Sequence, residues 1–575
     1  VKPPDRTPGA VRSQVPRAFA VPAAGPRPPV GRPAPWEGTD LPPGVYRWGV
    51  AAATALGAAL RLAHVARPFN RLMAWNEGHY AMIALNFDRY GPWVQHNELG
   101  IDRTFSPGVP WLIWASFRLF GPTEWAARLP IVLSGIAAVA LLAALVRRLL
   151  RSEQIALVTA AFAACAPGLV YFAQNVQLDT PSICCALGAA ALLLRYRETH
   201  RRRDLAGAGV WLAAAVWFKF TAALLYPAFL AIWWPARPAR TREAVVEAAA
   251  FIGLTALPSL VWIASGWLAS SGAAAAPSVF TWRFFHRDWD LRGLAKAFSE
   301  VPLAVEAHLF APMFLLLFVG IPLAARWRAR LRELWIWCAP WAIPYLLAPW
   351  DSLVNRYYDL PVTYLLTALA ALGLWKMRGG PRARPAAGGD PERPRDGERP
   401  AAGRGAVAAL PRPLLAGLVF VVAVTVLYDA LDPMIDAVAR ATMAHAAPVD
   451  PSPFYSAKIV ARLPRGRTIV DTPQTMFYAG GDPAWIEITG GDVRWKIDGE
   501  EFDYIVLNDY GHGQEPYYAI DAALRAQLAR HHYIQIAPAA WAHERTAVAD
   551  LGGYRDPRTA SWSPAPPRPG GAALP

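Results

Sequence analysis

Runs of about 20 apolar residues recur along this chain, and the turns between them alternate between arginine-rich and nearly arginine-free. A run of that length matches a hydrocarbon core of about 30 Å, so a repeated series restricts the chain to a bundle of membrane-crossing helices. In lipid the backbone has to satisfy its own hydrogen bonds, and a helix does so within one segment. About eleven spans are predicted, near 47–66, 125–147, 154–173, 180–197, 206–218, 220–235, 244–266, 303–325, 333–349, 359–375 and 413–430. The stretch "PGVPWLIWASFRLFG" at 107–121 is apolar but short, opens with two prolines and contains Arg118, so it is expected to lie in the interface.

The charges agree with this division. With the N-terminus in the cytoplasm, the inside turns hold Arg147, Arg148 and Arg151; Arg195, Arg197 and "HRRRD" at 200–204; Arg237, Arg240 and Arg242; and "RWRARLR" at 326–332. Counting 107–121 as a span would move each of these groups to the wrong face. A net charge of +14 would suggest nucleic acid in a soluble protein, but here the arginines orient helices, and no nucleic-acid partner is expected. The cysteines Cys165, Cys184, Cys185 and Cys338 fall in apolar segments without metal-ligand spacing, so no disulfide framework is expected.

The expected organisation is a disordered cytoplasmic tail over 1–44, rich in Pro, Ala and Arg, then a transmembrane domain over 45–376 with long outer loops at 67–124 and 267–302. A disordered basic linker (377–411) leads to the last span within 412–431. Beyond it, "RTIVD" at 467–471, "FDYIVLND" at 502–509, "DAALRAQLARHH" at 521–532 and "YIQIA" at 533–537 predict a small extracytoplasmic α/β domain within 432–555, followed by a disordered tail over 556–575. The fold class is a polytopic α-helical membrane protein of the plasma membrane, with this C-terminal domain outside.

Sidedness gathers the polar residues. Glu77, His79, Asp179, Lys219, His286 and Arg356 are all expected on one non-cytoplasmic face. Glu77 follows Asn76 just behind the first span, where it is either a carboxylate in the first turn of a helix or a catalytic group. His79 and Tyr80 beside it are substrate-contact candidates, or polar residues satisfied locally. Asp179 in "DTP" has the form of a helix start, and it shares the face where a second carboxylate would divide base and metal-binding roles with Glu77. Lys219 in "WFKFTA" either snorkels to water or meets a phosphate. Arg356 with Tyr357 offers the same choice, anion contact or interfacial belt. His286 in "FFHRDWD" is a candidate metal ligand or acceptor contact.

The strings "NEGHYAMIALNFDRYG", "FSPGVPWLIWASFRLFGPTEWAARLP", "GLVYFAQNVQLDTPS", "WFKFTAALLYPA" and "NRYYDLP" resemble the polytopic glycosyltransferases of the GT-C fold. The branch is that of the protein O-mannosyltransferases and the bacterial aminoarabinose transferase of lipid A, and the resemblance runs from about residue 45 to 375. It implies a sugar donor carried on a polyprenyl phosphate, a lipid contact, and transfer to a protein, lipid or glycan on the outer face. It also implies an acidic pair opening the first outer loop, whose leading position here is Asn76, an amide that takes up no proton at neutral pH. Asp179 matches the second acidic position, Lys219 the lysine near the lipid phosphate, and His286 the metal-binding histidine of some relatives. Ser106 stands near the place where the aminoarabinose enzyme has a glutamate partner for that histidine, so a divalent ion is the one cofactor the resemblance raises. Two other readings stay open: an accessory or binding protein on the same scaffold, suggested by Asn76, and a transporter or flippase, which would place its ionisable groups near mid-membrane.

Overall fold

The computed structural model describes Trp36 and most of residues 40–269, 308–338 and 360–378, together with parts of 456–543. All but the first two residues of the expected linker (377–411), the last span at 413–430, and His286, Arg356 and Tyr357 lie outside the described residues.

The helices run in chain order as α1 (Val45–Leu62), α2 (Ala74–Tyr90), α3 (Gly108–Phe120), α4 (Glu124–Leu150), α5 (Glu153–Cys165), α6 (Pro167–Ala173), α7 (Asp179–Thr199), α8 (Arg202–Phe218), α9 (Tyr226–Trp233), α10 (Thr241–Ala269), α11 (Ala311–Arg326), α12 (Arg332–Cys338) and α13 (Leu360–Met377). Among them α13, α4 and the 241–264 part of α10 are long and apolar enough to cross a membrane, and α5 with α6 adds a fourth span if the bent pair counts as one. Thr123 caps α4 and Ser152 caps α5, each accepting a backbone N–H three residues on. The face of α10 carries exposed Val245, Val246, Leu254, Leu257, Leu260 and Val261, a surface that only lipid solvates well. Helix α3 has 13 residues, about 20 Å at 1.5 Å per residue, too short to span.

The expected span at 154–173 is broken. Helix α5 ends at Cys165 and α6 starts at Pro167, with a bend of 56° between them. Proline removes an amide donor and pushes the preceding Ala166 out of helical geometry, to φ −59 and ψ 120. The carbonyls freed at the end of α5 are taken up by a distant side chain: the buried Arg61 guanidinium donates to Ala163 O and Ala164 O, each at 3.0 Å.

The tail assigned to 1–44 is corrected at one residue. Trp36 is fully buried, edge-on to Trp327 at 5.6 Å and to Trp375 at 6.1 Å, beside the ends of α11 and α13. Those two helices cross at glycines. A Cβ on Gly320 would lie 2.0 Å from Leu369 O, and one on Gly373 would lie 2.2 Å from Leu316 O, so only glycine permits this backbone approach.

A two-residue antiparallel ladder, β1 (His96–Asn97) with β2 (Gly100–Ile101), follows α2. The C-terminal part forms a five-stranded sheet from β3 (Thr468–Val470), β4 (Ile486–Ile488), β5 (Tyr504–Val506), β6 (Tyr533–Ala537) and β7 (Ala540–His543), in the order β4-β3-β5-β7-β6. The β3 strand is parallel to both β4 and β5, with Thr468 opposite Ile486 on one side and Tyr504 on the other. The β6-β7 hairpin completes the sheet antiparallel to β5. Helices α14 (Pro473–Tyr478), α15 (Val493–Gly499) and α16 (Ala522–Arg530) accompany it. One face of the sheet has its own core of Ile469, Phe502, Ile505, Leu524 and Trp541. The other side joins a core shared with the membrane bundle, in which Val470, Phe477 and Val506 pack with Phe69, Phe87 and Phe117.

Candidate functional site

Helix α2 begins two residues before Asn76, so Asn76 and Glu77 both lie in its first turn and Asn76 is not its cap. Asn76 is half-buried. Glu77 is fully buried and bound to Arg128 of α4 through both oxygens, Nε to Oε1 at 2.6 Å and Nη2 to Oε2 at 2.9 Å. Its Oε1 also accepts the amide of Val176 at 3.1 Å. The same guanidinium donates to the carbonyls of Val65 at 2.9 Å, Pro68 at 3.2 Å, and Arg67, and stands 5.0 Å over the Phe69 ring. Both oxygens of this carboxylate are committed to the buried arginine and the side chain is fully buried, which leaves no exposed oxygen to meet an acceptor hydroxyl. The geometry makes Glu77 a holder of the α1–α2 connection and of the 174–178 loop.

Arg128, which is not among the candidates above, carries a signal of its own in the sequence. An arginine in the opening turn of an otherwise apolar helix, "EWAARLP", needs a buried anion as partner. Its partner stands 51 positions earlier.

Asp179 is the first residue of α7, immediately after that loop. Lys219 follows the last residue of α8, in extended geometry before a 3-10 turn over Phe220–Leu225. The two meet: Lys219 Nζ is 2.6 Å from Asp179 Oδ1, and both side chains are mostly buried. Two helix ends thus deliver a carboxylate and an ammonium to one point. The first outer loop docks beside them, since Phe220 N donates to Ser106 Oγ at 3.1 Å. Next to Ser106, Gly108 lets α3 press on α8, for a Cβ there would lie 2.5 Å from Phe218. A cluster of tryptophans surrounds the junction, with Trp111 at 5.0 Å from Trp93 and 5.3 Å from Trp217, and Trp217 at 5.7 Å from Trp262. Such an aromatic layer suits the boundary between lipid and water.

His79 and Tyr80 are buried on α2, their rings edge-on at 5.0 Å. The structure therefore joins Asp179 to Lys219 directly and links Glu77 to them through Val176. Among the described residues no group of three or more His, Cys, Asp or Glu side chains is placed to hold a metal ion.

Residues 102–262 match the dolichyl-phosphate-mannose-protein mannosyltransferase family. No curated protein matches the chain in sequence. In three dimensions the chain is similar to ArnT from Cupriavidus metallidurans. Against the apo form the TM-score is 0.52 at 16% identity, covering 87% of this chain and 97% of that one. Against the form bound to undecaprenyl phosphate it is 0.55 at 16% identity, covering 86% and 98%. The fold is thus the GT-C fold of membrane glycosyltransferases, and this chain is a membrane protein.

Proposed function

We propose that this protein is a membrane glycosyltransferase that moves a sugar from a polyprenyl-phosphate carrier to an acceptor hydroxyl on the extracytoplasmic face. The observation that carries the reading is the buried Asp179–Lys219 pair where α7 begins and α8 ends. The similarity to a structure with undecaprenyl phosphate bound and to the mannosyltransferase family supports the donor class.

The chemistry follows from the pair. In the resting state Lys219 pairs with Asp179 and occupies its Oδ1. An arriving phosphate, a stronger anion than one carboxylate, draws the ammonium onto its oxygens and frees Asp179. Asp179 then takes the acceptor proton while the acceptor oxygen bonds to the anomeric carbon. The bond from that carbon to the phosphate oxygen breaks, and its electron pair leaves with the polyprenyl phosphate, stabilised by Lys219. A single displacement inverts the anomeric centre. Arg356 and Tyr357 complete the phosphate side in this proposal, and His286 would be a ligand of a divalent ion, which would supply further positive charge there. His79 and Tyr80 line the acceptor side of α2.

Placement of the charged pair at helix ends favours transfer over transport, which would call for ionisable groups halfway along their helices. The protein lies in the plasma membrane, with its N-terminus in the cytoplasm and the sheet-bearing part outside.

The test is incubation of membranes with labelled polyprenyl-phosphate sugars, comparing wild type with Asp179→Ala and Glu77→Ala. Asp179→Ala is expected to lower transfer by about 10²–10⁴-fold, the usual yield of a positioned base. Equal label incorporation by wild type and Asp179→Ala refutes the assignment. Asn76→Asp restores the acid that the resemblance places at this position. A large gain in transfer would identify the natural chain as a weakened enzyme or accessory protein on this scaffold.

A further inference from the structure

Where the sheet-bearing C-terminal part shares its core with the membrane bundle, one tyrosine uses its hydroxyl twice. Tyr478, the last residue of α14, accepts the Phe69 amide at 2.9 Å and donates to Glu124 Oε1 at 3.1 Å. Both contacts bridge more than 350 positions of sequence. The ring is buried, 6.0 Å from Phe69, while its neighbour Phe477 lies 5.1 Å from Phe69 and 6.2 Å from Phe117. Lys458 covers the tyrosine at 4.9 Å. Phe69 belongs to the α1–α2 connection that Arg128 grips by the carbonyls of Val65, Arg67 and Pro68. That connection is thus clasped at its carbonyls by the bundle and at an amide by the C-terminal part.

The chain of contacts continues to the proposed base. Arg128 holds both oxygens of Glu77, Glu77 Oε1 holds the Val176 amide, and Val176 lies three residues before Asp179. The links from Arg128 through Glu77 to Val176 are buried, so each depends on the geometry of the one before.

We propose that the C-terminal domain is a positioning element of the Asp179–Lys219 site, acting through Tyr478 on the α1–α2 connection and from there through Arg128, Glu77 and Val176. Tyr478 touches no reacting group; it is a positioning residue. The proposal rests on the functional reading above for the word "site", but the mechanical coupling does not depend on it.

The experiment uses the full chain in detergent, as wild type and Tyr478→Phe, which keeps the ring and removes both hydroxyl bonds. Amide hydrogen exchange over residues 174–178 is expected to accelerate by about tenfold, the effect of losing a hydrogen bond that restrains local opening, with residues 138–150 of α4 unchanged. In the transfer assay with undecaprenyl-phosphate-linked sugars, kcat falls while KM for the lipid stays within about twofold, as expected when orientation and not binding is lost. Unchanged exchange at 174–178 overturns the proposal, and so does uniform acceleration across the chain, which would report general destabilisation. A wild-type kcat in Tyr478→Phe overturns it as well. Should Tyr478→Phe fail to accumulate, Glu124→Ala removes one of the two bonds and is expected to shift the same segment by a smaller factor; no shift there counts against the coupling. If wild type transfers sugar from no polyprenyl-phosphate donor, the functional reading falls, and the exchange result still decides the coupling.

Discussion

Glu77→Gln separates a structural carboxylate from a catalytic one. Glu77 accepts three hydrogen bonds, two of them from the Arg128 guanidinium at 2.6 and 2.9 Å and one from the Val176 amide at 3.1 Å. Glutamine has one acceptor oxygen, and its NH2 group would face an arginine N–H, donor against donor. The substitution also leaves the guanidinium, almost wholly buried, without its counter-charge. Removing one partner of a buried pair costs roughly 3–5 kcal/mol, and two lost charge-assisted bonds at about 1.5–3 kcal/mol each lead to the same range. The measurement is thermal and denaturant unfolding of the purified protein as wild type, Glu77→Gln, Arg128→Met and the double variant. Glu77→Gln is expected to be the least stable or close to it. The double variant should recover part of the loss, because contacting residues couple by about 0.5–3 kcal/mol. A Glu77→Gln protein with wild-type stability and no transfer activity would refute the reasoning and restore Glu77 as the catalytic carboxylate.

Lys219→Met is expected to raise KM for the polyprenyl-phosphate donor and lower kcat together, since the ammonium serves both the bound and the departing phosphate; steady-state kinetics with a labelled donor check this. Gly320→Ala would put a methyl group 2.0 Å from Leu369 O, so α11 and α13 have to separate; a loss of about 1–3 kcal/mol or more and reduced accumulation in membranes are expected, read by fluorescence-detected size exclusion. In the C-terminal sheet domain, hydrogen bonds from Gln527 and His531 hold the Asp498 carboxyl below its usual range. A depressed folded-state pKa stabilises above the unfolded value and is lost as pH falls through the folded one, so acid should loosen the α15–α16 contact in wild type and do so less in Asp498→Asn, measured by hydrogen exchange across the acidic range.

Membrane residence could be read from residues in order, and so could the polar candidates Glu77, Asp179 and Lys219. Hydropathy and arginine placement are sums over neighbours in sequence, and a carboxylate or ammonium beside an apolar run announces itself because its burial is costly. The break at Ala166 carried a visible proline, yet hydropathy counts apolar residues and is blind to the direction of the helix axis, so 154–173 read as one span. Trp36 is not legible in a polar tail because its pocket is built by Trp327 and Trp375, hundreds of positions away.

What residue order alone determined here is a membrane bundle and the candidates Glu77, Asp179 and Lys219. The tertiary structure alone decided their partners: Glu77 paired with Arg128, Asp179 with Lys219, and the α1–α2 connection clasped by Tyr478. Transfer from water to lipid is a property of each segment by itself, whereas the state of a buried charge depends on which opposite charge lies within about 3 Å, and that is settled only when distant helices pack.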